Sequence, residues 1–244
     1  MVKRNKLIKR FLEKNNWRDA EISLLASDAS FRTYFRVVSK DKSAVLMDAN
    51  PKEENLKKFS FISQRLSLLG FSSPRIIASD FKRGLLLLED FGDTTYTEAL
   101  RHGLSEDKLY ALATDVLVHL HKKTQGKKIH GISSYNLAAL EDEHRLLVDW
   151  YYPAITKKVI STAAKKQYLG TWRGLLTKNT LLPNALVLRD YHVDNLMHLP
   201  GRRGMRSCGL LDFQDAVAGP AVSYTHLRAH ETEADLVCRL LLEK

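Results

Sequence analysis

Cysteine is scarce: Cys208 and Cys238 are the only two in 244 residues, too few for a disulfide framework. A reducing, cytoplasmic compartment is therefore the default expectation. Long apolar runs are missing too. The longest purely aliphatic stretch is Leu85 to Leu88, far short of the roughly 20 residues of a membrane-spanning helix. Met1 to Asn16 is basic but has no apolar segment, so no secretory signal is read there. There is no zinc-finger spacing, no aromatic strand of the RNA-binding type and no internal repeat.

What is present is an ordinary globular balance, with 44% hydrophobic and 27% charged residues. The chain is long enough for one large domain or two small ones with a proper core. Its 38 basic and 28 acidic residues give a formal charge of +10. Such a surplus can serve a nucleic acid, a membrane surface or an anionic small molecule. The basic residues are scattered, however, and the densest group, Lys3, Arg4, Lys6, Lys9 and Arg10, reads as the solvated face of a first helix. An anionic small molecule is the expected partner, with no nucleic acid and no membrane.

The first ninety residues read as strands around one helix. Glu21 to Leu25 is a short strand, and Ser27 to Ser30 a small polar turn. Phe31, Thr33, Phe35 and Val37 alternate with Arg32, Tyr34, Arg36 and Val38, the period of a strand. Ala44 to Met47 returns as a third. A helix follows, with Asn50 as its cap, Pro51 at its first position and Glu53 completing a capping box. Leu56, Phe59, Ile62, Leu66 and Leu69 form its apolar stripe, and Gly70 ends it. Arg75 to Ala78 and Leu85 to Glu89 are two more strands.

Beyond Asp93 the pattern turns helical. Ser105 caps a helix with Leu109, Leu112, Val116 and Leu120 on one face, and a second helical stretch runs from Leu137 to Trp150. Leu186 to Leu188 is a strand. The order is five strands with one helix, a connector near Phe91-Gly92, then helices carrying a hairpin. It predicts two lobes: residues 1–91 and 92–221.

The tail from Val222 to Lys244 resembles the conceptual translation of a transposase-type sequencing adapter. Val222 to Thr232 and Leu236 to Lys244 match its two fixed parts, with Glu233 and Ala234 where a variable index falls. On that reading the native sequence is cut after Ala221, and Cys238, His226 and His230 carry no functional meaning.

The segment Val187 to Asn195 contains Asp190 and Asn195 in an Asp-x-x-x-x-Asn pattern. Aliphatics lead in. After Asn195 come Leu196 to Leu199, a turn at Pro200 to Gly204, and a returning strand, Cys208 to Leu211, that ends at Asp212. In an antiparallel hairpin the start of one strand lies beside the end of the other. Asn195 and Asp212 are therefore expected to meet, with Asp190 in the adjoining loop. One carboxylate and one amide suffice for magnesium, which keeps water and phosphate oxygens as its other ligands. A separate carboxylate can deprotonate an attacking hydroxyl. That is the division of labour in kinase phosphoryl transfer.

At these residues the chain resembles the aminoglycoside phosphotransferase-like branch of the protein-kinase-like fold. The segments LRDYHVDN and LLDFQD carry the likeness. Within the branch, SDASFRTYFRV (27–37), AVLMDANPKEEN (44–55), GLLLLEDFGD (84–93) and LLDFQDAVAGP (210–220) resemble the bacterial N-acetylmuramate/N-acetylglucosamine kinases of cell-wall recycling. The resemblance covers residues 17–221. It implies an α+β, two-lobed kinase-like fold: a small N-lobe with an antiparallel sheet plus helix and a mainly helical C-lobe, truncated at its C-terminus. ATP and Mg2+ would be the cofactors and an amino sugar the substrate. Asp190 would be the catalytic base, with Asn195 and Asp212 holding magnesium. Ser27, Ser30, Phe31 and Arg32 would lie over the nucleotide phosphates. Glu89, Asp90 and Phe91 would form the hinge against adenine, and Glu53 or Glu54 would sit on the helix facing the phosphates.

Two departures stand out. The third strand of kinases usually ends in a lysine that pairs with nucleotide phosphates; Met47 holds that place here, leaving Arg32 and Lys52 as candidates. Leu188 replaces the histidine often found two residues before the catalytic Asp. Other residues stay open. His119 and His121 could be ligands or helix-end partners. Trp150, Tyr151 and Tyr152 could stack on a sugar, but such a cluster at a helix end is more often core. Asp215 could touch the acceptor or simply sit in a loop. Rival functions are another small-molecule kinase acting on an aminoglycoside or choline-like alcohol, a non-catalytic nucleotide-binding module, and a basic nucleic-acid binder.

Overall fold

A computed structural model describes residues 2–27, 32–40, 42–52, 54–127, 129–179 and 182–220. In chain order the elements are α1 (Val2–Lys14), β1 (Glu21–Ser27), β2 (Arg32–Ser39), β3 (Lys42–Ala49), α2 (Leu56–Leu68), β4 (Ile76–Asp80), β5 (Leu85–Glu89), α3 (Tyr96–Arg101), α4 (Glu106–Thr124) and α5 (Leu137–Leu146). A wide helical turn (Leu147–Tyr151) leads into α6 (Tyr152–Thr156), then come α7 (Thr162–Asn179), β6 (Asn184–Val187), β7 (Leu196–His198), β8 (Cys208–Leu210) and β9 (Val217–Pro220). These residues form two compact units. One comprises the described residues within Met1–Val116 and Val193–Gln214, the other those within Leu117–His192 and from Asp215 to Pro220. The expected lobe boundary at 91/92 falls inside the first unit, and the tail read as adapter-derived lies outside the described residues.

The first unit is built on an antiparallel sheet in the order β1-β2-β3-β5-β4. Alternation sorts its side chains. Phe35, Val37, Ala44, Leu46, Leu85 and Leu87 face α1, whose Ile8, Phe11 and Leu12 recur at the helical period and are buried with Trp17. Lys6, Lys9 and Arg10 are exposed, as the charge pattern predicts. Arg4 is a correction: it turns onto the sheet, bonds Asp48 and donates to the Arg83 carbonyl at 2.8 Å.

The start of α2 is a second correction. Its cap is Asn55, whose side chain accepts from the Lys58 amide at 3.0 Å. Asn50 instead closes a turn, accepting from the Lys52 amide on its side chain and from the Glu54 amide on its carbonyl. The chain is crowded at Gly84. A Cβ there would stand 2.0 Å from the Ala49 carbonyl oxygen and 3.0 Å from Pro51 Cδ, so the 49–51 segment packs closely against the β4–β5 turn. Gly84 also has φ +72°, a conformation that glycine adopts without Cβ strain. Glu53 lies outside the described residues. Leu56, Phe59, Ile62 and Leu66 are buried as the stripe predicts, and the chain leaves α2 through Leu69 and Gly70.

The 72–74 segment ties α2 to the hairpin of β7 and β8. Ser63 Oγ donates to the Pro74 carbonyl at 2.8 Å, while the Ser72 carbonyl accepts from Leu210 N and its hydroxyl donates to the Arg206 carbonyl, both at 2.7 Å.

In the second unit β6 pairs antiparallel with β9, and Tyr135, Leu140, Leu176, Val187 and Val217 form the core. The sequence reading missed β9, because Val-Ala-Gly-Pro contains two strand-averse residues. It also missed α7 as a defined helix. Thr124 at the end of α4 accepts from the Leu186 amide at 3.0 Å, fixing that helix end to β6. The Leu137–Trp150 stretch is helical throughout but widens after Leu146. Trp150 there is 69% exposed, against the core reading. Among the described residues no helix is long and apolar enough to cross a membrane.

Candidate active site

The predicted hairpin is present. Leu196 pairs with Leu210 and His198 with Cys208, and the ladder runs one step further through Leu211 N to the Asn195 carbonyl at 2.9 Å. Asn195 and Asp212 therefore flank the open end of the hairpin. Asp212 adopts φ +51°, a left-handed conformation uncommon outside glycine and often found where a side chain must be aimed. Gln214 Nε2 donates to its Oδ1 at 2.7 Å, fixing the carboxylate. Phe213 is buried beside it and stacks on Phe59 of α2 with ring centroids 5.0 Å apart.

Arg32 reaches the same place from β2. Its Nη2 lies 3.7 Å from Asp212 Oδ1, and its Nε lies 3.5 Å from Glu54 Oε1. Glu54 stands in the turn before α2, not on the helix as expected. Lys52 is exposed on that turn. Met47 is fully buried. Ser27 ends β1, and Ser30 and Phe31 lie outside the described residues.

The three predicted hinge residues are all held by side-chain contacts. Arg36 Nε donates to Asp90 Oδ2 at 2.9 Å and its Nη1 to Asp93 Oδ1 at 2.7 Å. Asp90 Oδ1 also accepts from the Gly92 amide. Glu89 Oε1 accepts from Arg202 Nη2 at 2.8 Å. The Arg202 guanidinium also donates to Ser72 Oγ at 2.7 Å and lies 4.9 Å from the Phe91 ring centroid. Phe91 packs on the hairpin at Gly209, where a Cβ would meet Phe91 Cδ2 at 2.9 Å. Arg202 thus straps the β5 end to the hairpin turn. Sequence reasoning missed it, since an arginine in a Pro-Gly-Arg-Arg-Gly turn looks like any solvated turn residue.

In the second unit, Asp190 is exposed just beyond β6. Arg189 before it takes φ +70°, and the Asp190 amide bonds the Leu188 carbonyl at 3.0 Å, making a sharp turn. Arg189 is fixed by Glu143 of α5 at 2.7 Å, and Glu143 also accepts from the Tyr135 hydroxyl. Leu188, at the usual histidine position, is buried. Burial lowers His121 below its ordinary value, favouring the neutral ring. Asp215 is exposed.

A family model described as the phosphotransferase enzyme family matches residues 21–223. The chain belongs to this family. An N-acetylmuramate/N-acetylglucosamine kinase from Pseudomonas aeruginosa is 36% identical over 206 residues, 82% of this chain and 57% of that protein. One of the same name from Pseudomonas putida is 35% identical over 199 residues, 82% of this chain and 56% of that protein. The chain thus spans somewhat over half the length of these relatives. Among solved structures, choline kinase LicA from Streptococcus pneumoniae superposes with a TM-score of 0.62 at 12% identity, covering 98% of this chain and 80% of that one. The streptomycin–ATP–APH(2")-IIa ternary complex gives 0.55 at 16% identity, covering 86% and 71%. These likenesses establish the protein-kinase-like fold.

The donors at this phosphotransferase hairpin suit magnesium. An aspartate carboxylate and an asparagine amide are hard oxygen ligands. Among the described residues no group of three or more His, Cys, Asp or Glu is arranged to hold a metal, so phosphate and water oxygens would complete the shell.

Proposed function

We propose that this chain is the catalytic part of an ATP- and magnesium-dependent kinase acting on the anomeric hydroxyl of N-acetylmuramate or N-acetylglucosamine, in cell-wall recycling. The observation that carries the reading is the hairpin end, where Asn195 and Asp212 flank one point with Asp212 aimed by its left-handed backbone and by Gln214. The names of the relatives support the acceptor. ATP as donor makes the cytoplasm the site of action.

Asp190 accepts the proton of the anomeric hydroxyl. The freed oxygen forms a bond to the γ-phosphorus, the bond from that phosphorus to the bridging oxygen breaks, and ADP leaves with the electron pair. Asn195 and Asp212 would hold the metal, which would supply neutralisation of charge on the phosphoryl oxygens. Ser27 at the end of β1 and Arg32 at the start of β2 would face the phosphates, and the Glu89–Phe91 backbone would meet adenine. The strap through Arg202 keeps that backbone in position.

The test is turnover of ATP with each sugar, with the product read by phosphorus NMR as a sugar 1-phosphate. Asp190→Ala should lower turnover by about 10²- to 10⁴-fold, the usual worth of a general base, while nucleotide affinity is kept. Full activity in that variant would remove Asp190 from the mechanism. Nucleotide binding without phosphate release over a panel of sugars would favour the binding-module reading that Met47 invites.

A further inference from the structure

We infer that Arg32 is the cation that pairs with the nucleotide phosphates, taking from β2 the role that a lysine at the end of β3 fills elsewhere in the kinase pattern. This rests on the nucleotide-binding reading above.

The register places it there. Tyr34 pairs with Met47 and Arg32 with Ala49, so Arg32 and Met47 project from the same face of the sheet, one pleat apart. Met47 is fully buried and uncharged, and so brings no cation to that face. Arg32 does. It is only 7% exposed, and a charge so deeply withdrawn from water needs opposite charges around it. Glu54 and Asp212 both lie within ion-pair reach of it.

The spacing says more. Charge-assisted nitrogen–oxygen bonds close to about 2.7–2.9 Å. Both contacts here are longer, at 3.5 and 3.7 Å, so neither carboxylate closes a fork on the guanidinium. Asp212 would also carry the divalent metal. Metal and guanidinium would then repel each other unless an anion lay between them. Phosphate oxygens meet that need, and Glu54 keeps the guanidinium aimed. Lys52 stands exposed on its turn, with no ion pair among the described residues.

The experiment titrates the full chain with ATP and, separately, with adenosine, following binding calorimetrically in magnesium, for the unaltered chain, Arg32→Met and Arg32→Lys. Arg32→Met should weaken ATP binding at least tenfold and leave adenosine binding unchanged, and Arg32→Lys should recover part of the loss. Unchanged ATP affinity in Arg32→Met would overturn the inference. So would equal losses for ATP and adenosine with a lowered melting temperature, which would assign Arg32 to the fold alone. If the unaltered chain binds neither ligand, the nucleotide reading itself fails. That outcome is distinct, because the other two require binding by the unaltered chain.

Discussion

Gly209 sits in β8 directly opposite Met197 of β7, and the pair is pinched. Opposed residues in an antiparallel ladder normally keep their Cβ atoms about 4.5–5.5 Å apart. A Cβ at Gly209 would stand 3.0 Å from Met197 Cβ, 3.0 Å from Leu199 Cδ1 and 2.9 Å from Phe91 Cδ2. The three contacts differ in how they can yield. Leu199 Cδ1 ends a flexible side chain and the Phe91 ring can swing, but Met197 Cβ is anchored to its own backbone. Gly209→Ala must therefore part the ladder or displace Phe91. Overpacking of this kind costs about 1–3 kcal/mol. Against it stands a gain of roughly 0.4–1 kcal/mol from restricting the unfolded chain. The net expectation is a loss of about 1–2 kcal/mol. Urea denaturation measures it as a lower midpoint at unchanged slope. In a Phe91→Leu background the ring contact is gone and the cost of Gly209→Ala should shrink. A neutral or stabilising Gly209→Ala, or an equal cost in both backgrounds, would refute the argument that this close approach fixes Phe91 to the hairpin.

Two further expectations follow from packing and burial. Leu12→Ala removes a side chain buried among Phe11, Trp17 and Leu46, and should cost about 2–5 kcal/mol by the same assay, whereas exposed Lys9→Ala should stay within about 0.5 kcal/mol. His121 has a folded-state pKa below its ordinary 6.5, so above that value neither state holds the proton and the residue contributes nothing to pH dependence. As pH falls through 6.5 the unfolded chain takes up the proton first, and stability declines by at most about 1.4 kcal/mol per pH unit. Melting curves of His121→Gln should show a shallower fall between pH 7.5 and pH 5, at roughly that scale; an identical slope would show that His121 does not titrate differently on folding.

Much of this fold is local and therefore legible. Period-two alternation in 32–38 and the aliphatic block 85–88 mark strands, because a pleated chain presents alternate residues to each face. The stripe from Leu56 to Leu66 marks α2 through the 3.6-residue period. The hairpin of Asn195 and Asp212 was also legible, since two short aliphatic runs around a Pro-Gly turn can pair in few ways. The cap of α2 was not. Asn50 is a good cap by residue type, but in the structure its side chain and carbonyl are taken by the Lys52 and Glu54 amides, and Asn55 caps the helix. Strand β9 was hidden because Val-Ala-Gly-Pro pairs with β6 by virtue of its position and not its propensity.

The amino-acid sequence alone therefore determined most of the elements, the family likeness and the candidate set Asp190, Asn195 and Asp212, because periodicity and motif spacing are properties of neighbours along the chain. Tertiary structure decided which charges meet. Arg32 is joined to Glu54 and Asp212 across 22 and 180 positions, and Arg202 to Glu89 across 113. No pattern in the chain encodes those distances. They arise because strand register and hairpin closure bring remote side chains together, and for Arg32 the burial of its charge calls for opposite charges nearby.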